Sequence, residues 1–98
     1  MVTAAELKQR IDIELRTVKL SIDDLAELER EWPSETPINR QSAHMEWEDV
    51  IARWRFLRDI HRAGQLTEEQ ERRWRAIQKA LSSAQATIDR LGLLPPTE

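Results

Sequence analysis

The stretch TEEQERRWRAIQKALSSAQATIDRLG, from Thr67 to Gly92, admits one regular conformation. Trp74, Ile77, Leu81, Ala84, Ile88 and Leu91 follow one another at alternating steps of three and four. An α-helix gathers such positions on one face, whereas a strand scatters them over both faces of a sheet. Thr67 with Gln70 three residues later forms a capping box, which satisfies two free backbone donors. Glu68 and Glu69 stand in the first turn, where the helix dipole favours negative charge. Gly92 ends the run because glycine enters the left-handed conformation cheaply, and Leu93 is placed to touch Ile88 across that cap.

The same periodicity appears twice more. Thr3 and Glu6 are spaced for a capping box, and Ala4, Leu7, Ile11, Leu15, Val18, Ile22, Leu25, Leu28 and Trp32 continue as one stripe. Pro33 stops it, since proline disfavours helix in the residue before it. In the connector PSETPINR, Thr36 is read as an N-cap and Pro37 as the first helical position. Trp47, Val50, Ile51, Trp54, Leu57 and His61 line one face of the second helix, which Gly64 closes. Short connectors between long helices make sequential helices antiparallel neighbours. The sequence therefore predicts an all-α, up-down-up three-helix bundle with helices at about 3–32, 37–63 and 67–91. Residues 1–98 form one domain, with 92–98 as a C-terminal tail.

The chain has no cysteine, which excludes disulfides, thiol catalysis and thiolate metal sites. No apolar run reaches the roughly 18 residues that a membrane helix requires. The N-terminal MVTAAELKQR lacks the basic-then-apolar order of a signal peptide, and a cytoplasmic protein is expected.

EWEDVIARWRFLRDIHRAG, Glu46 to Gly64, mixes tryptophans with arginines. A stacking platform for nucleic-acid bases needs aromatic and cationic groups on one exposed surface. Here helical phase separates them. Trp47 and Trp54 share the face of Val50, Ile51 and Leu57, whereas Arg53, Arg55 and Arg62 lie off it and Arg58 lies at its margin. Trp32, Trp47, Trp54 and Trp74 are therefore expected as core anchors. Antiparallel pairing sets Trp54 near Ile77, Leu57 near Trp74 and Trp47 near Ala84, with Trp32 near Ile88 and Leu91.

The formal net charge of −3 hides a polarity. Residues 1–52 carry 6 Lys/Arg against 12 Asp/Glu, and residues 53–79 carry 8 against 4. In an antiparallel bundle the carboxylates gather at the end holding the first connector, and Arg55, Arg58, Arg62, Arg72, Arg73 and Arg75 gather at the other. The acidic end, with Glu27, Glu31, Glu46 and Glu48, is a candidate docking surface for a basic partner. The arginine-rich end supports a nucleic-acid-associated role as the alternative. Against it stand the acidic overall balance and the glutamates across the short turn, because phosphate binding needs an uncompensated positive field.

No catalytic or cofactor signature emerges, and no cofactor is expected. His44 and Glu48 lie four apart near Glu27 and Glu31, which leaves a metal-dependent enzyme at the acidic end as a second alternative. Bundle metal sites, however, use Glu-x-x-His, and the residues three before His44 and His61 are Gln41 and Arg58. Three-helix chorismate mutases are of similar length, but such a site needs several inward cations. The inward positions of this first helix read as aliphatic throughout, which sets the chain apart from them.

One feature exceeds what a lone bundle needs. Ile13 and Leu20 on the first helix, and Met45, Phe56 and Ile60 on the second, fall opposite the core stripes. Each helix of such a bundle requires one broad apolar stripe. A surplus shared by two helices marks a partner surface, and the simplest partner is another copy in a two-fold dimer. The expected function is thus a small, non-enzymatic interaction, scaffold or regulatory module.

Overall fold

The computed structural model describes residues 2–96. Four helical segments follow in order: α1 (Ala4–Asp23), α2 (Leu25–Glu31), α3 (Pro37–Arg62) and α4 (Glu68–Arg90). A 3-10 turn at Trp32–Ser34 joins α2 to α3, and no strand occurs among the described residues. The segments α1 and α2 form one bent helix, so the molecule is a three-helix bundle measuring 45 × 27 × 20 Å.

Each helix begins on a threonine. The hydroxyls of Thr3, Thr36 and Thr67 accept from the backbone N–H groups of Glu6, Asn39 and Gln70. At Thr67 the capping box is closed, because the Gln70 carboxamide oxygen accepts from the Thr67 N–H at 2.9 Å. α3 and α4 end alike. Gly64 and Gly92 take φ of 69° and 66°, and the next residue donates back to the last turn, Gln65 to Ile60 and Leu93 to Ile88. These 6→1 bonds are paired with 5→2 bonds from the glycines, Gly64 to His61 and Gly92 to Asp89, and together they satisfy the final carbonyls.

The first helix is bent where the sequence predicts it continuous. Asp24 flattens to ψ −12° and forms a turn between α1 and α2. Two adjacent aspartates favour local backbone bonding over helix. One turn earlier the Ser21 hydroxyl donates to the Thr17 carbonyl at 2.9 Å, a bond that bends helices. The apolar stripe runs through the bend unbroken, since Ile22 and Leu25 are both buried.

The core contains Ile11, Leu15, Val18, Ile22 and Leu25 from the first helix, five residues of α3 including Trp47 and Trp54, and Trp74, Ile77, Leu81 and Ile88 from α4. Leu91 and Leu93 complete it, so the segment read as a tail folds back onto the bundle. The Trp47 indole Nε1 donates to the Leu94 carbonyl at 2.6 Å and fastens that segment to α3. The backbone of α1 approaches both α3 and α4 closely, while α3 and α4 meet chiefly through large side chains.

Two polar residues are buried, and the second of them departs from the aliphatic reading of the first helix. Gln70, 1 % exposed, donates through Nε2 to the Lys8 carbonyl and to Asp12, tying the start of α4 to α1. Glu14, 8 % exposed, is an inward position of α1 that is not aliphatic. It is tolerated there because Arg53 of α3 donates to it at 2.8 Å. A buried carboxylate without such a partner would be costly.

Candidate functional site

Trp47, Trp54 and Trp74 are buried, whereas Trp32 is half-buried at the edge of the core. Trp54 and Trp74 stack with centroids 5.8 Å apart, and His61 also stacks on Trp74 at 5.5 Å. The Trp54 indole donates to the Gln78 side chain at 2.8 Å, and Arg58 lies 5.6 Å over its ring. His61 also meets the Glu71 carboxylate at 2.9 Å. Trp32 lies against His44, with the Arg40 guanidinium 5.3 Å over its ring and donating to its carbonyl at 2.7 Å. The 3-10 turn brings Trp32 against the start of α3, whose Arg40 and His44 meet its ring.

Most ion pairs at the basic end lie within one helix, and the Arg53–Glu14 pair crosses from α3 to α1. Arg72 and Arg73 pair with Glu69, Arg58 with Asp59, and Arg53 with Asp49 and Glu14. The Arg72 guanidinium holds the Glu69 carboxyl below its ordinary value, and the hydrogen bonds that Arg53 donates to Asp49 and then to Glu14 raise Arg53. Carboxylates thus accompany these guanidinium groups, and the tryptophan rings of this end are inside. At the acidic end Arg90 of α4 grips Glu29 of α2 at 2.6 Å, which lowers Glu29. Glu27, Glu31, Glu46 and Glu48 are exposed there. Among the described residues no group of three or more histidines and carboxylates is placed to share a metal ion. No described helix is long and apolar enough to cross a membrane.

The five residues of the surplus apolar face separate in the structure. Ile13, Leu20 and Met45 are 47, 56 and 63 % exposed. Phe56 and Ile60, expected opposite the core, are half-buried and pack against it. The physical reason is that α3 touches two neighbours, so its apolar arc is wider than one stripe. Arg10 of α1 lies 4.8 Å over the Phe56 ring. Phe56 lines a groove between α1 and α3 with Arg10, Glu14, Asp49, Ala52 and Arg53. Leu20 lines a different groove, between α1 and α4, with Leu15, Arg16, Lys19, Arg73 and Ala76. The outward back of α1, with Ile13 and Leu20, therefore stands between the two grooves.

Burial of Gln70 and Glu14 was not legible as such, although the capping position of Gln70 was. No family model matches the chain, and neither does any curated protein or solved structure.

Proposed function

We propose that the protein is a non-enzymatic interaction module that works as a homodimer. The contact surface is centred on the outward side of α1, and Met45 is a further exposed apolar residue, on α3. The observation that carries this reading is the exposure of Ile13, Leu20 and Met45 outside a core that closes without them. Single exposed apolar residues are ordinary, but Ile13 and Leu20 recur seven residues apart on one side of a straight helix. Such a stripe gains from being covered, at about 25 cal/mol per Å2 of apolar surface removed from water.

Sedimentation velocity at tens of micromolar tests the reading. A dimer is expected, and Leu20→Glu or Met45→Glu is expected to favour the monomer without lowering the melting temperature. Wild-type protein that remains monomeric over that range contradicts it. Phe56 is unsuited to this test, since the half-buried ring also supports the fold.

A further inference from the structure

We propose that the second copy lies antiparallel across α1, on a two-fold axis passing beside Leu20. This rests on the dimeric reading above and adds its geometry. Leu20 is exposed on the outward side of α1, and the charges around it are antisymmetric. Arg16 precedes it by one turn and Asp23 follows it by nearly one turn, both exposed. At the helical rise, Arg16 lies about 6 Å before Leu20 along the axis and Asp23 about 4.5 Å after it. Residues at i, i+4 and i+7 share one helical face. A two-fold axis beside Leu20 therefore stacks the two leucines and sets each Arg16 against Asp23 of the second copy.

A parallel arrangement would place Arg16 against Arg16 and Asp23 against Asp23, which like-charge repulsion disfavours. The polarity of the whole molecule acts in the same sense. In the antiparallel arrangement each acidic end, with Glu27 and Glu31, faces toward the second copy's arginine-rich end. Asp23 already binds Lys19 of its own chain at 2.8 Å. That pair is partly exposed and of the i, i+4 kind, and such pairs are weak enough to accept a further cation. The bend at Asp24 ends the straight segment and turns α2 toward α4. The contact is thus centred on the straight part of α1, and the association is expected to be reversible.

Charge-reversed variants test the arrangement. In Arg16→Glu both cross-copy pairs become carboxylate against carboxylate, and in Asp23→Arg both become guanidinium against guanidinium. Each variant alone is expected to dimerise about tenfold more weakly than wild type. In an equimolar mixture both pairs of the mixed dimer are opposite in charge, so association is restored. Restoration by mixing also establishes that the variants are folded. If wild type dimerises and the variants do so equally well, or if mixing restores nothing, the antiparallel arrangement is overturned and dimerisation itself stands. If wild type is monomeric up to about 100 µM, where even a weak specific complex assembles, the dimeric reading falls with it.

Discussion

The indole of Trp54 stacks on that of Trp74 with ring centroids 5.8 Å apart and planes 27° from parallel. The two rings join α3 to α4 where the helix backbones stand apart, and each is nearly sealed from water. Trp54→Ala removes the stack, the bond to Gln78 and a large buried surface. It is expected to cost about 3–5 kcal/mol, the range for a buried aromatic truncated to alanine. Urea denaturation followed by circular dichroism measures it.

The C-terminal segment is structural. Leu93 is 4 % exposed, and the Leu94 carbonyl accepts the Trp47 indole bond. A chain ending at Gly92 loses both and leaves a buried indole N–H unpaired. Truncation is expected to destabilise the bundle by about 2–5 kcal/mol, which the same denaturation curve reports.

Glu14 and Arg53 form a cross-helix pair in which the carboxylate is the more buried partner. Arg53→Met leaves that carboxylate without its donor and is expected to cost about 1–3 kcal/mol. Adding Glu14→Leu removes the orphaned charge and recovers most of the loss, since a buried pair replaced by apolar groups is often neutral. A double-mutant cycle in urea checks both halves.

Acid is expected to weaken the tie between α1 and α4. The hydrogen bond from Gln70 holds the Asp12 carboxyl below its ordinary 3.8; partial burial opposes this and Lys8 adds to it. A carboxyl lowered by folding contributes stability that is fully present above its unfolded value. That contribution is lost as pH falls through the folded value. The melting temperature should therefore change little through this site above about pH 5 and decline through and below the ordinary carboxylate range. Asp12→Asn, which does not titrate, should decline less steeply over the same range.

Much of the architecture was legible because helix ends and seams are local signals. Thr3, Thr36, Thr67, Pro33, Gly64 and Gly92 mark boundaries that the structure places within a residue or two. The bend at Asp24 was not legible, because the stripe of Ile22, Leu25 and Leu28 keeps its phase through it. The burial of Glu14 and Gln70 was not legible, since only the neighbouring helices supply the donor and acceptors that permit it. Phe56 and Ile60 read as outward because a single-stripe view of α3 ignores its second neighbour. The charges flanking Leu20 carry meaning only after the exposure of that face is known.

The phase of α3 and α4, with indoles inward, is tested most directly by acrylamide quenching of tryptophan fluorescence in the four single Trp→Phe variants. A neutral quencher is required because Trp32 stands near a concentration of carboxylates. Trp32→Phe is expected to remove most of the quenchable emission, since Trp32 alone of the four is half-exposed rather than sealed. Quenching that instead disappears with Trp54→Phe or Trp74→Phe would put those rings at the surface beside the arginines and contradict the fold as described.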